Sequence, residues 1–181
     1  MDVQIVKNGY SFASRENLDD INRKLSSLDQ SQLMEHINVG IHSDVGVIFS
    51  DRYIDISNQE LKVNQVYCST LSIAYNGGNI DINSWEPLAS LILDSCYEAT
   101  ILAGILNRIK HQDSKRSKHI FLTFIGGGVF GNKDEWISRA IAKALILADR
   151  MNEDIEINIC HYSQVNQSIV RLIEKYYSEL K

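Results

Sequence analysis

Four glycines in six positions, Gly126, Gly127, Gly128 and Gly131, stand between an apolar run and a helix-forming stretch, with Val129 and Phe130 among them and Asn132 next. Backbone without side chains lets a ligand approach closely. Its N–H groups, with the positive end of the helix that follows, suit an anion such as a phosphate. The order is neither G-x-G-x-x-G nor G-x-x-x-x-G-K-[ST], because Gly131 is followed by Asn132 and not by a P-loop lysine. Dinucleotide dehydrogenases and NTPases are therefore disfavoured. A tight strand-to-helix turn is the bland alternative, but it needs fewer glycines. Asn132 also suits the cap of the next helix.

Carboxylates able to activate water or hold hydroxyls are the second group. Asp94 and Glu98 stand four apart on one helix face, off its apolar stripe, so position 94 should face loops or solvent. Like charges at this spacing repel mildly, and a ligand or cation between them would explain the pair; a solvated face is the alternative. Asp81 and Glu86 enter that helix, and Asp134 and Glu135 directly follow the glycine loop. Negative charge at such first turns is also favoured by the helix dipole. Asp44 and Asp51 flank a strand and are remoter candidates. Ser69, Thr70 and Ser72 line a strand end that should face the crevice of the glycine loop. Trp85 and Trp136 read as core. Cys68, Cys96 and Cys160 lie in apolar contexts and read as buried reduced thiols, with a nucleophile or disulfide as the lesser reading. The five histidines show no H-x-x-x-H or H-E-x-x-H spacing, so no metal is expected.

The elements that must position these residues follow from periodicity. Val3 to Lys7 alternates like a short strand and ends at Asn8-Gly9. Ser14 reads as the cap of a helix running to about Leu28, with Leu18, Ile21 and Leu25 on one face. Residues 29 to 44 suggest a short helix and a loop through Gly40. Val45 to Ser50 and Gln65 to Tyr75 read as strands around a polar excursion at 51–64, followed by the loop Asn76–Asn79. Pro87 fits the first turn of a helix reaching Lys110, with an apolar stripe at 88, 91, 92, 95/96, 99, 102/103 and 106. Residues 118–125 form a nearly continuous apolar strand, 133–151 a helix, 154–160 a strand and 164–180 a closing helix. Strand and helix alternate, which predicts an α/β domain.

With 181 residues, one compact domain (1–181) is expected, burying roughly 70% of its extended-chain surface. The 18 basic and 23 acidic side chains give a net charge of −5, with no long basic run, so general nucleic-acid binding is not expected. No apolar run approaches the ~18 residues of a membrane span, and no signal segment is read after Met1. A cytosolic setting, in its own cell or a host's, is expected.

FLTFIGGGVFGNKDEW (121–136) resembles the second phosphate-binding loop of macrodomains, the ADP-ribose-binding modules. In the same order, QVYCSTLSIAYNGG (65–78) resembles the preceding macrodomain strand and loop, LILDSCYEATILAGI (91–105) the helix with its Cys-Tyr pair, and INICHYSQ (157–164) the last strand. The likeness covers about residues 65–180. Residues 1–64 are divergent, and Asn8-Gly9-Tyr10-Ser11 stands where a richer glycine loop is usual. The branch it resembles most is the bacterial effector macrodomains that remove ADP-ribose from arginine on ubiquitin.

The resemblance implies a three-layer α/β/α fold with a mixed central sheet, ADP-ribose as ligand and an ADP-ribosylated protein, in that branch ubiquitin, as partner. It implies metal-independent hydrolysis without cofactor; a non-catalytic reader and a nucleotide-dependent transferase are the other readings. A monomer is expected. Gly126–Gly131 would wrap the diphosphate, Phe130 would shield the distal ribose, Asn132 would bond a ribose hydroxyl, and Tyr162 would carry adenine unless it packs at the sheet edge. Hydrolysis passes through an oxocarbenium-like ribose and calls for a carboxylate, with Asp94 first, then Asp81, Asp134 and Glu98.

Overall fold

The computed structural model describes residues 5–47, 61–77 and 80–181. It begins with β1 (Val6–Lys7) and β2 (Tyr10–Ser11), an antiparallel hairpin whose Lys7 faces Tyr10 across Asn8 and Gly9. Both turn residues take positive φ, 51° and 80°, the requirement of a two-residue hairpin turn. Helix α1 (Arg15–Ser27) starts where expected: the Ser14 hydroxyl accepts from Asn17 N at 3.2 Å, and Leu18 is fully buried. Asp29 caps the short α2 (Gln30–Met34).

The next segment departs from expectation. Strand β3 (Gly40–Gly46) begins inside the stretch read as helix and loop, and it pairs antiparallel with β4 (Lys62–Tyr67). Residues 48–50 of the expected strand, Asp51, Gly78 and Asn79 lie outside the described residues, as does the start of the strand expected from Val3. The strand expected over 65–75 ends at Tyr67 because side chains, and no neighbouring ladder, take the backbone groups beyond it. Cys96 Sγ donates to Ser69 O at 3.7 Å, Asn132 Nδ2 to Leu71 O at 2.8 Å, and Ser72 N donates to Ser11 Oγ at 2.8 Å. A 3-10 turn at Ile73–Asn76 follows, and a second, Ile82–Trp85, leads into α3.

Helix α3 (Glu86–Lys110) carries Pro87 in its first turn and buries Ala89, Leu93, Cys96, Tyr97, Ile101 and Ile105. Its buried face is rotated from the expected stripe: Leu106 is exposed, and Asp94 is inside. The cause is that α3 is covered on several sides at once, by α1, α2, β5 and α4. Residues Ile82–Lys110 are long and apolar enough to span a membrane by length and composition; here Leu93, Ile101 and Ile105 belong to the core with Trp136, Ile137 and Ile141.

Strand β5 (His119–Leu122) runs parallel to β6 (Glu156–Ile159), with α4 (Asp134–Met151) as the crossover between them. The ladder stops at Leu122, three residues before the end of the apolar run, because a phenol replaces the neighbouring strand. Tyr97 OH donates to Thr123 O at 2.8 Å and accepts from Ile125 N at 3.1 Å. Helix α5 (Gln167–Leu180) starts at its cap Asn166, later than expected, and seats Ile169 and Ile173 in the core. Trp85 and Trp136 are core residues, 1% and 3% exposed. Of the thiols, Cys96 is buried, Cys68 half-buried and Cys160 exposed, so the expectation of three buried cysteines fails at the end of β6.

The fold is thus mixed helix and strand, in the α/β class. Among the described residues the ladders make three two-stranded sheets, β1–β2, β3–β4 and β5–β6. What joins the first of these to the body is a buried polar knot. Ser11 N donates to Ser72 Oγ at 3.0 Å, Ala13 N to Asn76 Oδ1 at 2.9 Å, and Asn76 Nδ2 to Ser11 O at 2.9 Å. Ser72→Ala leaves two buried backbone and hydroxyl groups short of a partner. It should cost about 1–3 kcal/mol, read as a lower urea midpoint at constant m-value.

Candidate functional site

The glycine loop occupies the carboxyl end of β5, where open α/β sheets bind ligands. It is closed on itself: Asn132 N and Asn132 Nδ2 both donate to Gly126 O, at 3.0 and 2.9 Å, while the second amide hydrogen reaches Leu71 O. Asn132 is 5% exposed, and its Oδ1 is buried with no partner among the described residues. The cap position of α4 belongs to Lys133, so Asn132 is a clamp at the base of the loop and not the helix cap.

Gly126, Gly128 and Gly131 have left-handed φ, and at two of them space also excludes a side chain. Gly126 has φ +82°, and a Cβ there would collide with the Thr70 hydroxyl. Gly131 has φ +75° and would meet Ala74 Cβ at 2.9 Å. Gly127 has φ −70°, and its Cβ would find Ile137 Cδ1 at an ordinary 3.6 Å. Gly128 and Val129 are exposed and Phe130 half-buried. The N–H groups of Ile125, Phe130, Gly131 and Asn132 all have acceptors, but those of Gly126, Gly127, Gly128 and Val129 donate to none among the described residues. Four successive donors are thus left at one loop, the arrangement that an anionic oxygen cluster would satisfy.

Thr70 lies against this loop, 3.5 Å from Asn132 Nδ2. Ser69 is exposed, with its carbonyl held by Cys96, whereas Ser72 is buried in the knot with Ser11 and is not at the crevice surface. Tyr162 is fully exposed and does not pack at a sheet edge; next to it His161 stacks with Phe124, ring centroids 6.3 Å apart. Two rings that the sequence did not single out as site residues join Phe130. Tyr75 meets it edge-on at 6.0 Å, and Tyr10 meets Tyr75 at 5.4 Å. No spacing rule links positions 10, 75 and 130; only the hairpin register and the Gly131–Ala74 approach bring them together.

The carboxylates are dispersed. Asp81 accepts from Asn83 N at 3.0 Å as the cap of the 3-10 turn, while Asp134 and Glu135 are exposed on the first turn of α4. Glu98 is half-buried on α3, and Asp44 is an exposed β3 residue at φ +57°. Asp94 is not on a free helix face: it is 9% exposed and pairs with Lys143 at 2.5 Å. Its partners in spacing are Glu86 and Ser90, two turns and one turn back, both held by Arg139 at 2.7 and 3.0 Å. Facing ladders on α3 and α4 line a cleft of about 340 Å³ with Asn83 and Gln30. Burial raises the Asp94 carboxyl above its ordinary range against the opposing pull of Lys143 and Arg139. Burial likewise pushes the Tyr97 phenol up, keeping it a neutral donor at the strand end.

Compared with models of known families, with curated proteins and with solved structures, the chain matches none.

Gly126→Ala should destabilise the fold by at least about 1–2 kcal/mol, from the left-handed backbone alone, with the Thr70 collision in addition; thermal unfolding measures it. For Asp94, the folded chain holds the carboxyl proton more tightly than the unfolded chain. Its contribution therefore favours folding most at acid pH and declines as pH rises from the ordinary carboxylate range through the raised value. Wild-type stability relative to Asp94→Asn should then increase from about pH 7 down to about pH 4. A difference that stays flat in denaturant titrations across that range would contradict the burial.

Proposed function

We propose that the chain is a macrodomain-like ADP-ribosylhydrolase, a three-layer module that binds ADP-ribose at Gly126–Asn132 and releases it from a protein side chain without metal or cofactor. The observation that carries this reading is the run of unpartnered N–H donors from Gly126 to Val129, beyond the carboxyl end of a parallel strand and ending four residues before the helix cap Lys133. A diphosphate spans several such donors, and the α4 dipole adds to them. Phe130 then flanks the distal ribose, and the exposed Tyr162 is available to adenine. The resemblance to effector macrodomains supports arginine linkage and ubiquitin as the modified protein.

For the chemical step, a carboxylate beside the distal ribose would stabilise the oxocarbenium-like centre or orient water. Asp134 follows the loop by two residues and is exposed, which makes it as apt as the buried Asp94. A second reading, a reader that binds without cleaving, draws its support from the Asp94–Lys143 ion pair, which occupies the first-choice acid in holding α3 to α4.

Two experiments test this. Gly127→Val should abolish ADP-ribose binding in calorimetry while leaving the melting temperature near wild type, because position 127 has an ordinary backbone conformation and room for a Cβ, while the side chain fills the phosphate position; a folded variant with unchanged affinity would sink the assignment. Single-turnover release from arginine-linked and glutamate-linked substrates should fall roughly 100-fold in one of Asp94→Ala, Asp81→Ala or Asp134→Ala. Binding without release in the wild type would establish the reader.

A further inference from the structure

Three aromatic rings from three distant segments are held together at the surface beside the glycine loop. Tyr10 and Tyr75 are 43% and 45% exposed, and Phe130, half-buried, completes the row. Their positions are fixed from below. The Asn8-Gly9 turn sets Tyr10, the Ser11–Ser72–Asn76 knot ties the hairpin to the turn carrying Tyr75, and Gly131 against Ala74 brings Phe130 alongside. Rings anchored by a buried polar knot cannot turn inward to join the core, so their faces stay in contact with water. Exposed apolar surface on a rigid mount at the rim of a polar loop is the composition of a recognition surface, where tyrosine supplies contact area at small entropic cost.

We propose that Tyr10 and Tyr75 are the docking wall for the polypeptide that carries the ADP-ribosyl group. The inference rests on the reading of the glycine loop as the diphosphate site. With the diphosphate on the N–H groups of Gly126–Val129 and the ribose at Phe130, ADP-ribose itself has no further group to place on the next two rings. What continues in that direction is the modified side chain and its flanking backbone. Peptide planes and a guanidinium both stack on tyrosine faces. The net charge of −5 is compatible with a basic sequence around the modified residue.

The test compares two ligands on the full chain: free ADP-ribose, and a short arginine-containing peptide bearing one ADP-ribose through a non-hydrolysable linkage. The wild type should bind the conjugate more tightly than the free ligand. Tyr75→Leu should weaken the conjugate roughly 3–10-fold, the worth of one stacked aromatic, and leave free ADP-ribose unchanged. Tyr10→Leu, on a separate segment, should do the same and serves if Tyr75→Leu does not fold. Equal weakening of both ligands would overturn the proposal by placing the rings in the ADP-ribose subsite. No weakening of either would overturn it by making the rings mutual packing only. A wild type that binds neither ligand would overturn the reading of the glycine loop and the wall with it, an outcome distinct from the other two.

Discussion

One side-chain amide sits where the chain's separate parts meet. Asn132 spends both of its hydrogens on carbonyls, Gly126 O across the loop and Leu71 O on a segment sixty-one residues earlier. Reversing the amide would set its oxygen against those two acceptors, so its orientation is fixed by its surroundings. The same residue closes the glycine loop through its backbone N–H. The loop's shape and its approach to Thr70 follow from this clamp. Its remaining oxygen is buried with no partner among the described residues. That is a cost a fold retains where geometry matters more than local stability.

Around the clamp, side chains do what strands do elsewhere. Tyr97 takes the place of a neighbouring strand at the end of β5, and Ser11, Ser72 and Asn76 satisfy the segment after β4. Each such substitution ends a ladder early and leaves irregular backbone next to the sheet terminus. Backbone of this kind can turn its N–H groups outward, which a ladder cannot do. Short sheets and a donor-rich loop thus have one physical origin.

The charged residues of α3 and α4 form a second system. Glu86, Ser90 and Asp94 face Arg139 and Lys143, and the half-exposed lysine keeps part of its hydration while the carboxylate gives up most of its own. Such pairs register two helices against each other with little net gain in stability. They also give Asp94 a partner on another helix, Lys143. Position 94 lies within the helix–helix seam because α3 is covered by several elements, and a single apolar stripe cannot describe a helix buried on several faces.

Local sequence determined a good deal of this. The caps Ser14 and Asn166 begin their helices by hydrogen bonds within three residues, although only the first was read as a cap; Pro87 marks the start of α3, and the glycine loop lies between β5 and α4, all short-range effects. The α/β class follows from the alternation of those elements. Tertiary structure decided the rest. Strand ends were set by Tyr97 and the serine knot, whose partners stand twenty-six to sixty-five residues away. The burial of Asp94 was set by Lys143 on another helix, and the aromatic row by three segments with no common period. Periodicity reports which face of an element is apolar. It carries no information on which distant polar group will meet a backbone carbonyl, and at this site those meetings fix both the loop and the surface beside it.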